Sequence, residues 1–156
     1  MKEKIKNILL FSLAVITIII VAIETKVMLV NAASGSNSSS DVQLIARAIN
    51  GEARGEPYEG QVAVGAVIMN RVKSSKFPNT ISGVIYQQGA FTAVSDGQIN
   101  VAIAKESTVV KAAQDAINGW DPTGGALYYF NPNTATSSWI WSRPQIKTIG
   151  KHIFCK

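Results

Sequence analysis

From residue 41 the apolar positions recur at helical spacing. Val42, Leu44, Ile45, Ala48 and Ile49 share one face of a helix predicted over about 41–53, with Ser40 and Gln43 as an S-x-x-Q capping box at its start. Pro57 then suits the first turn of a second helix, "YEGQVAVGAVIMNRVKSS". Its apolar residues, Val62 to Met69, lie nearly all round, as in a helix buried in the middle of a domain. "FPNTISGVIYQQG" predicts a short helix capped by Asn79 or Thr80, "AFTAVSDGQI" an irregular loop, and "STVVKAAQDAINGW" a helix with a single apolar stripe and Gly119 as its C-terminal cap. After residue 125 the character changes. "GALYYFNP" reads as a strand ended by Pro132, "SSWIWS" as a second strand and "KTIGKHIFC" as a third. Helices first and short strands afterwards predict an α+β domain, with a groove between helical lobe and sheet.

The first forty residues stand apart. Lys2, Lys4 and Lys6 precede the uncharged run "ILLFSLAVITIIIVAI" (8–23), and Val30 with Ala32 offers an A-x-A-like cleavage site. Residues 1–33 therefore read as a signal peptide or a membrane anchor. The run is shorter than the ~20 residues that span a bilayer. "SGSNSSS" (34–40) reads as a flexible polar linker, and 41–156 as the functional domain. The expected location is outside the cytoplasm, in the cell envelope.

Charge adds little. The chain carries a net +5, but residues 1–33 hold four Lys and two acids, which leaves 11 basic and 8 acidic residues and a balance of +3. No basic block points to nucleic acid. Cys155 is the only cysteine and His152 the only histidine, so the sequence calls for no intrachain disulfide and no zinc site. On an extended tail these two, three residues apart, would point to opposite faces, which disfavours a thiol–imidazole pair.

The candidate chemistry lies in "INGEARGEPYEG" (49–60). Glu52 falls three residues after Ile49, four after Ala48 and seven after Ile45, so it projects from the apolar face. A carboxyl desolvated there holds its proton more tightly, as a general acid must. Geometry alone leaves open a pairing with Arg54 or Arg71, or plain exposure. Glu56 and Glu59 have a structural explanation, because both sit near the positive start of the second helix. Asp96 in "SDG" and Asp121 in "GWDPTGG" read first as turn residues. Tyr128, Tyr129, Phe130, Trp139 and Trp141 lie where alternate residues face opposite sides; those turned outward could stack on sugar rings. Asn70, Gln87, Gln88 and Asn131 could bind hydroxyl or acetamido groups. There is no G-x-S-x-G elbow, P-loop or Rossmann fingerprint. A carboxylate acid in an exported domain points towards glycoside cleavage.

These residues resemble the spore cortex-lytic, or cell-wall hydrolase, family of spore-forming bacteria, of the SleB/CwlJ type. The matching stretches are "ARAINGEARGEPYEGQVAVGAVIMNRV", "FPNTISGVIYQQGAF", "DAINGWDPTGGALYYFNP" and "TIGKHIF", in the family's order across 41–155. The resemblance implies a lysozyme-like helical lobe with a small antiparallel sheet, and cleavage of peptidoglycan glycan strands in spore cortex or cell wall. No cofactor and no metal are expected. The first glutamate of the family's G-E-A-R-G-E motif is catalytic, and it falls on Glu52. The implied reaction is lytic transglycosylation between N-acetylmuramic acid and N-acetylglucosamine. The alternatives are a muramidase-type hydrolase using Glu56, Asp96 or Asp121 as second carboxylate, and a non-catalytic peptidoglycan-binding module. Phe91 and Thr92 match cleft-lining positions, and Tyr128, Tyr129, Asn131 and Gln88 are the next substrate-binding candidates. Family members often carry a separate peptidoglycan-binding domain ahead of the catalytic one, where this sequence has the signal-like segment and linker. The chain is expected to act as a monomer, with a possible membrane tether through its first segment.

Overall fold

The apolar stripe 42–49 is buried on α1 (Lys2–Ala53), where Ile45, Ala46, Ala48 and Ile49 have no exposed surface. In this computed structural model the backbone is described from residue 2 onward, and side chains for residues 3–4, 15–26 and 39–156. The chain forms two compact units, Met1–Ser39 and Ser40–Lys156. The side chains of the expected cleavage site and of linker residues 34–38 lie outside the described residues. Among the described residues no helix is long and apolar enough to cross a membrane. Because the helical backbone already precedes Ser40, Ser40 and Gln43 sit inside α1 and have no free helix start to cap.

In the second unit α2 (Tyr58–Lys73) is the central helix and is buried almost continuously from Gly60 to Ile68, as its all-round apolar pattern requires. Two further helices meet it. These are α3 (Ile81–Ile85), whose Thr80 hydroxyl accepts the Gly83 N–H as N-cap, and α5 (Thr108–Ile117), buried through Val109, Ala112, Ala113 and Ala116. Gly119, at φ +102°, lies just beyond the end of α5. The segment expected to be an irregular loop instead holds α4 (Thr92–Ser95) and a 3₁₀ turn, Gln98–Asn100. The aspartate of "SDG" stabilises that turn, since Asp96 Oδ1 accepts the Gln98 N–H.

The sheet is three-stranded and antiparallel in the order β1–β3–β2, with β1 at Tyr128–Phe130, β2 at Gln145–Ile149 and β3 at His152–Cys155. Two sequence expectations change here. "SSWIWS" is no strand. It forms α6 (Ser138–Trp141), and Trp139 and Trp141 pack edge-on against Tyr128 and Phe130 of β1. "KTIGKHIFC" is a hairpin, not a single strand. Gly150 turns it at φ +57°, and a Cβ there would also collide with the Glu56 carboxylate. Phe154, fully buried, packs with Ala63, Val67, Ala126 and Ile149 and docks the sheet on α2. The helical lobe with its small antiparallel sheet is the architecture expected.

Candidate active site

The candidate site begins where α1 ends. Glu52, one turn beyond the buried Ala48 and Ile49, is half-buried, and two donors hold its carboxylate. Oε1 accepts the Ala93 N–H at 2.8 Å, and Oε2 accepts the Tyr129 hydroxyl at 3.1 Å. Ala93 stands in the first turn of α4, whose N–H groups have no partner within the helix, and Phe91 at the cap position supplies no side-chain acceptor. The Glu52 carboxylate takes that place.

Gly51 makes the approach possible. A Cβ on residue 51 would lie 2.5 Å from the Ala93 Cβ and 3.1 Å from the Gln98 Cβ. Gly51→Ala is expected to push α4 away from α1 at a cost of about 1–3 kcal/mol. Urea denaturation measures it, and an unchanged midpoint would mean that the α1–α4 contact yields freely.

Neither arginine weighed as a partner forms an ion pair with Glu52. Arg54 Nη1 donates to Gln98 Oε1 at 3.0 Å. Arg71, 7% exposed, donates from Nε to the Leu127 carbonyl at 2.8 Å, and its guanidinium lies over the rings of Phe77, Phe91 and Tyr128 at 5.2, 5.3 and 5.5 Å. Burial lowers the proton affinity of Arg71, while Tyr129, Tyr128 and Glu52 raise it electrostatically. Tyr129 is kept neutral. Burial, then the charge of Glu52 and its hydrogen bond, push the hydroxyl pKa well above the usual tyrosine value, with Arg71 opposing. The Tyr129 ring is held edge-on by His152 at 5.2 Å and at a tilt by Phe154 at 5.8 Å.

Tyr129 also lines a cavity of about 480 Å³, together with Arg71, Lys76 and Phe77, residues 87–90, Tyr128, and Trp139 and Ile140. The Arg143 guanidinium covers the Tyr128 and Trp139 rings at 5.0 and 5.3 Å. Of the substrate-binding candidates, Gln88, Tyr128 and Tyr129 line this cavity. Phe91 is buried behind it under Arg71, and Thr92 is exposed beside Ala93. Asn131 lies beyond β1, where its Oδ1 accepts the Asn133 N–H and shapes a turn. Asn70 is likewise engaged, donating to Asp121 Oδ2 and to the Ala126 carbonyl.

The remaining candidate carboxylates are committed elsewhere. Glu56 Oε2 accepts the Lys151 N–H at 2.8 Å, and Glu59 pairs with Lys147 at 3.0 Å on the surface. Asp121 accepts from Thr123 N and Oγ1, Gly125 N and Asn70. Burial acts to raise the Asp121 pKa, but those hydrogen bonds outweigh it and the net shift is downward. Cys155 is buried, and that burial pushes its thiol pKa up against the pull of Arg143, which disfavours a nucleophilic thiolate. Among the described residues no group of three or more His, Cys, Asp or Glu side chains could hold a metal ion.

The sequence held no sign of the Ala93 N–H, because any residue there but proline could donate. Arg71 was visible only as a possible ion-pair partner. Its aromatic surroundings come from three separate segments.

Comparison with known proteins follows the same lines. A family model described as Cell Wall Hydrolase matches residues 55–155. A spore cortex-lytic enzyme from Bacillus cereus is 69% identical over 119 residues, which is 76% of this chain but 45% of that protein. The chain thus spans less than half the length of that relative. Two solved structures are each 69% identical with a TM-score of 0.71. The catalytic domain of the Bacillus cereus SleB protein aligns over 76% of this chain and 91% of its own. The catalytic domain of the germination-specific lytic transglycosylase SleB from Bacillus anthracis aligns over 74% and 93%. With the family model matched over residues 55–155 and the two structures at 69% identity, the chain belongs to the cell wall hydrolase family.

Proposed function

We propose that this chain cleaves peptidoglycan glycan strands as a lytic transglycosylase, with Glu52 as both general acid and general base. The observation that carries the reading is the Glu52 carboxylate, held by two donors of which one, Tyr129, lines the aromatic-walled cavity, while Glu56, Asp96 and Asp121 each accept hydrogen bonds elsewhere. The name of the Bacillus anthracis neighbour supports the same reaction class.

In this mechanism Glu52 enters protonated and gives its proton to the glycosidic oxygen as the bond from muramic acid C1 breaks. The carboxylate then takes the proton of the muramic C6 hydroxyl, whose oxygen closes on C1. The products are a 1,6-anhydro terminus and a free 4-hydroxyl; no water is consumed, and Glu52 regains its proton. The Tyr129 oxygen suits both states, since it can donate to the carboxylate or accept from the acid. A hydrolase would place a second carboxylate ~5–5.5 Å away for retention or ~6.5–9.5 Å away for inversion.

Tyr128 and Gln88 are proposed as direct glycan contacts in the groove, with Phe91 backing the wall and Thr92 at its mouth. Asn131 acts from the turn beyond β1. The signal-like first segment would carry the domain out to the envelope or spore cortex, where peptidoglycan is available. Mass spectrometry of digests made with residues 34–156 tests the reaction. Muropeptides lighter by one water support transglycosylation, whereas reducing muramic acid means that water is the acceptor.

A further inference from the structure

Two chain segments far apart in sequence hold Glu52, and a third residue joins them. The donor to Oε1 is Ala93, two residues after Phe91. The donor to Oε2 is Tyr129, two residues after Leu127 and next to Tyr128. Arg71 touches both segments from the middle of the domain. Its guanidinium lies 5.3 Å from the Phe91 ring centroid and 5.5 Å from that of Tyr128, and its Nε donates to the Leu127 carbonyl at 2.8 Å.

We infer that Arg71 is a positioning residue which ties the α4 arm to the β1 arm, so that both donors meet the Glu52 carboxylate at once. The inference deepens the proposed function and rests on Glu52 being the acid.

The residue type fits this task. A guanidinium is planar, so it can lie across several aromatic faces while its in-plane Nε–H reaches a carbonyl. Arg71 is 7% exposed, and the single ion pair among the described residues is Lys147–Glu59, so Arg71 has no carboxylate bonded to it. Its charge is met by three ring faces, by a backbone carbonyl and at longer range by Glu52; of the direct contacts Phe91 belongs to the α4 arm, and Tyr128 and Leu127 to the β1 arm. The last turns of α2 supply a rigid base, since Ile68, one turn earlier, is fully buried.

Lysine at this position keeps the charge but has neither the planar face nor the fork. Without the tie the two arms can shift independently. A displacement on the order of 1 Å at a reacting carboxylate costs up to about a hundredfold in rate.

The test measures glycan cleavage kinetics and thermal melting of wild type, Arg71→Lys, Phe91→Leu and Glu52→Gln. Phe91→Leu removes one ring from the tie and is the gentler change should Arg71→Lys not fold. The expected result is a kcat about tenfold to a hundredfold lower in folded Arg71→Lys, with KM within twofold of wild type. A smaller fall of the same kind is expected in Phe91→Leu. A folded Arg71→Lys with wild-type kcat overturns the inference, as does a loss residing wholly in KM. If Arg71→Lys does not fold, Phe91→Leu decides by the same two criteria. Glu52→Gln separates this failure from that of the proposed function: full activity there removes the acid itself, whereas an inactive Glu52→Gln beside a fully active Arg71→Lys removes only the tie.

Discussion

Glu52→Gln is expected to lower release of muropeptides from peptidoglycan by about two to four orders of magnitude, the range that one positioned acid–base group contributes. The substitution keeps the volume and still offers an oxygen to the Ala93 N–H, so the local contacts persist. What it removes is the carboxyl group's ability to give and take a proton. The folded fraction and melting temperature should match wild type, which separates a chemical loss from a structural one. If the glutamine protein releases muropeptides at the wild-type rate, the acid is some other group, or the chain only binds glycan.

Phe154→Ala carries the largest expected effect on stability. Phe154 has no exposed surface and is among the largest fully buried side chains. It faces Ala63 and Val67 of α2 and stands opposite Tyr129 in the β1–β3 pairing. Emptying that space costs about 3–5 kcal/mol, from transfer and from the cavity left behind. A domain is stable by about 5–15 kcal/mol in total, so the variant should lie close to unfolding. Activity should fall with it even at temperatures where the chain stays folded, because the Tyr129 ring loses the face that aims its hydroxyl at Glu52. Urea denaturation of wild type and variant measures the first effect. A loss below about 1 kcal/mol would mean that the site collapses without strain and that other contacts dock the sheet.

The helical lobe was legible because helices announce themselves locally. The apolar residues of α1 and α5 repeat at helical spacing and their burial followed that spacing, while the all-round apolar run of α2 is buried almost continuously. The strands were less legible. Tyr128–Phe130 has only three residues, and "SSWIWS" satisfies strand alternation as well as it does a helical turn. It became α6 because one helical turn brings Trp139 and Trp141 against Tyr128 and Phe130, a contact that no local pattern encodes. The hairpin at Gly150 was hidden because the residues on either side of the glycine, Lys147–Ile149 and Lys151–Ile153, mix basic, polar and apolar types in the same way. The turn is set by its positive φ and by the nearby Glu56 carboxylate.

The candidate site divides along the same line. That Glu52 ends an apolar helical face follows from counting residues, and its motif tied it to a family. By itself the sequence determined α2, α3, α5 and the buried end of α1, the α+β class, the family and the carboxylate most worth testing, because each rests on short-range spacing or an uninterrupted motif. Only the tertiary structure decided what meets that carboxylate. The Ala93 N–H and the Tyr129 hydroxyl come from 41 and 77 positions away, and Arg71, which does not touch the carboxylate, bonds the Leu127 carbonyl 56 positions from itself. Contacts of that range depend on how helices and sheet pack, and spacing along one chain carries no record of it.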